Sequence, residues 1–69
     1  MSYWNYRVLE DDHGTLAIHE VYYDENHKPE YCTANPVDIS GWDDIQQMAD
    51  TIELIKKALT YPILNKEDF

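Results

Sequence analysis

The stretch from Leu16 to Asp24 constrains the fold of this chain most, because it has the pattern of one long β-strand. It is rich in β-branched and aromatic side chains, and turn-forming residues flank it on both sides. Similar segments precede and follow it, each separated from it by a short polar turn. The sequence therefore predicts a three-stranded antiparallel β-meander, with strands at about 3–10, 15–24 and 29–34.

One C-terminal helix is predicted over about 41–60. Ser40–Asp43 has the form of a capping box, and Pro62 disfavours helical geometry at the residue before it. Apolar residues recur on one face of this segment, as in an amphipathic helix that lies on a sheet. They are Ile45, Met48, Ala49, Ile52, Ile55 and Leu59. We therefore expect a single α+β domain over 1–69, with a partly disordered tail at 63–69.

The parity of the two turns predicts which face of the sheet the helix covers. If both turns contain an even number of residues, directly opposed strand residues have sequence numbers with an odd sum. One face then carries most of the apolar side chains, together with small residues that allow a helix to approach closely. That face comprises Trp4, Tyr6, Val8, Ala17, His19, Val21, Tyr23, Cys32 and Ala34. We expect the helix to pack on it; a three-residue turn or a bulge would exchange the faces.

Size and charge exclude several classes of function. A chain of 69 residues has little room for a deep substrate pocket, which argues against a self-contained enzyme. Fourteen acidic against five basic residues give a net charge of -9, which repels nucleic-acid phosphates and anionic membranes. The sequence has no long apolar span and no signal-peptide pattern at its start, so we expect a cytoplasmic location.

Three residues have a catalytic appearance, and each also has a structural explanation. His19 and Glu20 resemble the start of a zinc-protease motif, but that motif needs a second histidine on the same helical face, where this chain has Tyr23 in a strand. Adjacent strand residues point to opposite faces, so His19 and Glu20 cannot share a site. His19 and Cys32 could form a nucleophilic pair across two strands, or both could be buried fillers. We expect no enzyme activity, no metal and no cofactor.

The second face of the sheet is predicted to be an interaction surface. Tyrosines and aliphatic residues would remain uncovered there, beside an ion pair between Arg7 and Glu20, and tyrosine is enriched at protein interfaces. The candidate surface comprises Tyr3, Arg7, Leu9, Ile18, Glu20, Tyr22, Tyr31 and, on the far side of the helix, Leu54. We expect a small acidic interaction module that binds a partner protein or a second copy of itself as a homodimer. The alternatives are an acidic nucleic-acid mimic that inhibits a basic partner protein, and a small enzyme or metal binder that uses His19 and Cys32.

Four segments of the chain form a recognisable pattern. They are Trp-Asn-Tyr-Arg-Val at 4–8, Ile-His-Glu-Val-Tyr-Tyr-Asp-Glu at 18–25, Lys-Pro at 28–29, and Ala-Leu-Thr-Tyr-Pro-Ile-Leu at 58–64, where the predicted helix ends. Through these segments the chain resembles a group of short bacterial proteins of unknown function, over most of its length. It departs from them at Asn26 and His27, where an Asp-Gly turn is expected. The resemblance implies a compact one-domain protein and brings no particular activity or catalytic residue.

Overall fold

A computed structural model describes residues 3–69 and shows an α+β fold, in which a C-terminal helix accompanies a mixed four-stranded sheet. The elements are β1 (Trp4–Glu10), β2 (Leu16–Tyr23), β3 (Pro29–Cys32), α1 (Ile45–Lys57) and β4 (Leu64–Asn65), with short 3₁₀ turns at Ala58–Thr60 and Lys66–Asp68. The strand order is β3-β2-β1-β4, and β1, β2 and β3 form the predicted antiparallel meander. The predicted sheet of three strands is incomplete, because part of the tail at 63–69 forms β4 and pairs in parallel with β1.

The two turns of the meander are built alike, and both contain an odd number of residues. The backbone N–H of Asp11 donates to the carbonyl of Thr15 at 3.1 Å, and that of Asp24 donates to the carbonyl of Lys28 at 2.9 Å. Three residues lie between the members of each pair, and the third has a positive φ, 79° at Gly14 and 62° at His27. The predicted even-length turns are therefore wrong.

The carboxylate of the aspartate stabilises each turn. Asp11 Oδ1 accepts the backbone N–H groups of Thr15 and His13, both at 2.9 Å. Asp24 Oδ1 accepts the equivalent N–H groups of Asn26 and Lys28, at 2.8 and 3.0 Å. The bond from Thr15 is the main reason that the pKa of Asp11 lies below its usual value of 3.8. The negative form of the carboxylate is the form that holds the turn.

Odd turns change which side chains share a face. Tyr6 lies opposite Glu20, and Arg7 lies opposite His19, so the residues of β1 have exchanged faces relative to β2 when compared with the prediction. A register shift between Tyr22 and Tyr23 restores the expected pairing of β3, in which Tyr22 faces Tyr31. One face, the aromatic face, carries Trp4, Tyr6, Val8, Ile18, Glu20, Tyr22 and Tyr31. The other, the core face, carries Asn5, Arg7, Leu9, Ala17, His19, Val21, Tyr23 and Cys32.

The main hydrophobic cluster lies on the core face; Val8, on the aromatic face, and Ala58, which follows α1, are also buried. Leu9, Val21 and Tyr23 are at most 4% exposed and form one cluster, against which Cys32 and Leu64 pack. Leu64 reaches this cluster because β4 places it opposite Leu9. The strand that the sequence alone does not reveal thus contributes directly to the core.

The helix is shorter than the predicted 41–60. α1 contacts the sheet at β1, and none of the residues that form it is buried. It begins at Ile45, because Gly41 has a φ of 88°, which a right-handed helix cannot include. The cap is Asp44, whose side chain accepts the N–H of Gln47 at 2.8 Å, and Ser40 lies outside the helix. Within residues 3–69, no helix has the length and apolarity that crossing a membrane requires.

Candidate functional site

Four aromatic side chains form a continuous row across three strands of the aromatic face. Trp4 contacts Tyr6 with a ring-centroid distance of 5.2 Å and contacts Tyr22 at 6.2 Å, and Tyr22 stacks on Tyr31 at 5.4 Å. The row follows from register, since Trp4 lies opposite Tyr22 and Tyr22 lies opposite Tyr31. Trp4 is 44% exposed and Tyr31 is 57% exposed. We call these four residues the aromatic row.

The orientation of the rings limits what the aromatic row can bind. Trp4 and Tyr6 meet at 88°, and the planes of Tyr22 and Tyr31 differ by 30°. The four rings are therefore not coplanar and do not form one flat platform for stacking sugars or bases. The net charge of -9 also opposes a polyanion. A row of this kind is suited to an apolar protein surface that also offers partners to the tyrosine hydroxyls.

Glu20 lies among the tyrosines and contributes to a raised pKa of Tyr6 and Tyr22. Tyr22 Oη donates to Glu20 Oε1 at 2.9 Å, and this hydrogen bond is the main reason that the pKa of Tyr22 is raised above 10.0. The pKa of Tyr6 is also raised, first by burial and then by the negative charge of Glu20. Both hydroxyls are therefore neutral donors at ordinary pH, beside one carboxylate.

The structure divides the predicted surface between the two faces of the sheet. Ile18, Glu20, Tyr22 and Tyr31 come together on the aromatic face, as predicted. Tyr3, Arg7 and Leu9 are instead associated with the core face. Tyr3 stacks on Tyr23 with a centroid distance of 4.6 Å, and Leu9 is 1% exposed. The reason is the odd turn at 12–14, which reverses the faces of β1 relative to β2.

Arg7 has a structural environment that differs from the predicted pair with Glu20. Its Nη1 donates to Tyr23 Oη at 2.9 Å, and its Nη2 donates to the carbonyl oxygen of Pro62 at 2.8 Å. The guanidinium carbon also lies 5.3 Å from the centre of the Tyr61 ring. Arg7 and Glu20 point to opposite faces, so Arg7 instead joins β1 to β2 and to the segment that precedes β4.

His19 and Cys32 lie on the core face, where packing accounts for both. His19 is 2% exposed, and its Nδ1 lies 2.9 Å from the carbonyl oxygen of Thr33. Cys32 is partly buried against the core cluster. Within the described residues 3–69, no three His, Cys, Asp or Glu side chains are grouped closely enough to hold a metal ion.

A groove of about 220 Å³ extends the aromatic row towards the helix. Its walls are formed by Trp4, Asn5, Tyr6, Leu54, Lys57 and Tyr61. Leu54, which the sequence places opposite the apolar stripe of the helix, is 53% exposed and adjoins the aromatic row here. Sequence reasoning missed Trp4, Tyr6 and Tyr61. The signal for the first two is the spacing from Asp11 to Gly14, which indicates a three-residue turn and places β1's even-numbered residues with Tyr22.

Comparison with known proteins assigns no family to this chain. No family model matches the sequence, and no curated protein and no solved structure is similar enough to count as a match.

Proposed function

We propose that this chain is a small protein-binding module that holds a partner protein on the aromatic row and the adjoining groove. The observation that carries this proposal is the set of ring contacts that link Trp4, Tyr6, Tyr22 and Tyr31 across three strands. Tryptophan and tyrosine are the side chains that most often dominate the binding energy of protein interfaces. Rings that already support one another lose little conformational freedom when a partner binds.

The charge of the chain indicates the chemistry of the partner. A net charge of -9 favours a partner whose binding surface has a basic rim, because opposite charges accelerate encounter and exclude acidic competitors. Glu20 adds a specific contact inside the row, since its carboxylate already accepts the Tyr22 hydroxyl at 2.9 Å and has further lone pairs. An arginine of the partner fits this position, where it can pair with Glu20 and stack on a tyrosine ring.

Affinity capture with matched variants tests the proposal. Trp4→Ala and Tyr31→Ala remove exposed rings of the row, whereas Phe69→Ala removes an aromatic side chain that is 37% exposed and lies outside it. We expect each row variant to weaken binding of the captured protein by about 30-fold, corresponding to about 2 kcal/mol for an interface hot spot, and Phe69→Ala to bind like the wild type.

Two further readouts distinguish the outcomes. A photoreactive amino acid at position 31 should cross-link to the captured protein, and raising the salt concentration should weaken binding. Equal binding by the wild type, Trp4→Ala and Tyr31→Ala would refute the proposal. Loss of binding only on neutralising surface acids, with the row variants unaffected, would instead indicate the acidic nucleic-acid mimic.

A further inference from the structure

A second exposed apolar surface runs along the helix, away from the aromatic row. Ile45, Ile52 and Leu59 are 79%, 39% and 68% exposed, and Leu59 lies in the 3₁₀ turn that continues α1. Their spacing of seven residues, close to two helical turns, places them on one line along the helix. Ala49 lies between the first two and is also exposed. We call these four residues the α1 stripe.

The α1 stripe is not the side of the helix that contacts the sheet. The residues of α1 that are partly buried are Met48, Thr51 and Ile55, and the fully buried Ala58 follows directly after the helix. At about 100° per residue, this inward side is centred roughly 80° from the α1 stripe. An isolated helix of 13 residues is only marginally stable in water. Because α1 buries little of its apolar surface, a second molecule that covers its other apolar side would stabilise the helix.

We infer that the α1 stripe is the contact between two copies of this chain, which pair their helices antiparallel about a two-fold axis at Ile52. In this arrangement, Ile52 meets its own equivalent at the axis, and Ile45 lies opposite Leu59 of the other copy. A two-fold interface must be self-complementary, and the α1 stripe has one large aliphatic residue at its centre and one seven residues away on each side.

The charges of the helix select a second copy and set the direction of pairing. Asp43 and Asp44 directly precede the helix and Asp50 and Glu53 lie in its middle, whereas Lys56 and Lys57 occupy its last turn. In an antiparallel pair about Ile52, Lys56 comes level with Met48 of the other copy, about one helical turn from the acidic Asp44 that caps that helix. A parallel pair would bring the acidic ends together, and the antiparallel pair also opposes the two helix dipoles.

This inference goes beyond the proposed function, because it concerns a different surface. Leu54, which lines the groove beside the aromatic row, is about 160° around the helix from Ile52. Pairing through the α1 stripe therefore leaves the aromatic row of each copy accessible, and the assembly presents two such rows. The two proposals are tested by different variants. Trp4→Ala should bind its partner protein weakly and yet remain dimeric.

Sedimentation over a range of protein concentrations tests the pairing. We expect the wild type to form dimers, and we expect Ile52→Glu, which places two carboxylates together at the axis, to weaken dimerisation by at least about 100-fold. Leu54→Glu makes the same change at an exposed position off the α1 stripe and should leave the dimer intact. A wild type that stays monomeric throughout, or an Ile52→Glu variant that dimerises like the wild type, would overturn the inference.

Disulfide trapping tests the direction of pairing and does not depend on the folding of Ile52→Glu. In a Cys32→Ser background, Ile52→Cys should cross-link to itself, and Gln46→Cys, on the polar side of the helix, should not. Chains with Ile45→Cys should cross-link to chains with Leu59→Cys far faster than to one another. Cross-links between two Ile45→Cys chains would show a parallel pair and contradict the arrangement, as would equal cross-linking from position 46.

Discussion

His27 is the residue at which the backbone departs most from what its side chain prefers. Among residues 3–69, it is the only non-glycine residue with a positive φ, at 62°. Gly14, at the same position of the first turn, has a φ of 79° and no Cβ to be crowded by it. A non-glycine side chain in this region costs about 1–2 kcal/mol. The contact of His27 with the Tyr3 ring, at 5.4 Å between ring centres, offsets part of this cost.

We therefore expect His27→Gly to stabilise the protein by about 0.5–1 kcal/mol, because relief of the backbone exceeds the loss of the ring contact. Thermal or urea unfolding measures this change. Gly14→Ala is the matched control and should destabilise the protein by a similar amount. Apart from Gly14 and its two chain neighbours, none of residues 3–69 has an atom within 4 Å of a Cβ added at Gly14, so the effect of Gly14→Ala reports the backbone alone. A decrease in stability for His27→Gly would show that its ring contributes more than its backbone costs.

At the scale of elements, the residue that caps the helix in the structure differs from the one that the sequence pattern predicts. Ser40 has the residue type and spacing of a cap, whereas Asp44 is the residue whose side chain accepts the N–H of Gln47, at 2.8 Å. We expect Asp44→Ala to destabilise the protein by about 1 kcal/mol and Ser40→Ala to have little effect. Chemical denaturation of the two variants measures the difference, and an equal loss of stability in both would contradict the assignment.

The sequence predicts the elements of this fold better than their mutual arrangement. β-branched and aromatic residues identify the three long strands, and the apolar repeat identifies α1. The face that each side chain occupies depends on whether a turn has two or three residues. The turn between Asp11 and Thr15 has three, so the side chains of β1 lie on the opposite face, relative to β2, from the one predicted. For the same reason, half of the predicted surface is correctly brought together, around Tyr22 and Tyr31, while Arg7 and Leu9 belong to the core face.

Two-residue strands such as β4 lie beyond what a local pattern can reveal. Leu64 and Asn65 have no alternation to detect, and their pairing with Leu9 and Glu10 depends on where the helix ends. The position of α1 beside β1 has a similar origin, since the chain must cross from β3 at one edge of the sheet to β4 at the other. Such long-range constraints are properties of the whole chain.

At the scale of the whole molecule, a small core makes the contribution of β4 large. Leu64 packs against Leu9, Val21 and Tyr23, whereas its neighbour Ile63 is 55% exposed. We expect Leu64→Ala to cost about 2 kcal/mol and Ile63→Ala to cost less than about 0.5 kcal/mol. Equilibrium urea unfolding compares the two variants, which remove similar numbers of atoms from adjacent positions. Similar losses from both would show that β4 does not close the core.

The parallel pairing of β4 with β1 also dictates an order of folding. The two turns of the meander join neighbouring strands, whereas β4 pairs with a strand that lies more than 50 residues earlier. Closing this long loop costs more conformational entropy, so we expect the contact between β4 and β1 to form after the meander. In kinetic measurements, Leu64→Ala should accelerate unfolding and leave the folding rate almost unchanged, whereas Val21→Ala should slow folding. During synthesis, the meander would therefore form first, with the side of β1 that β4 later occupies open until Leu64 and Asn65 arrive.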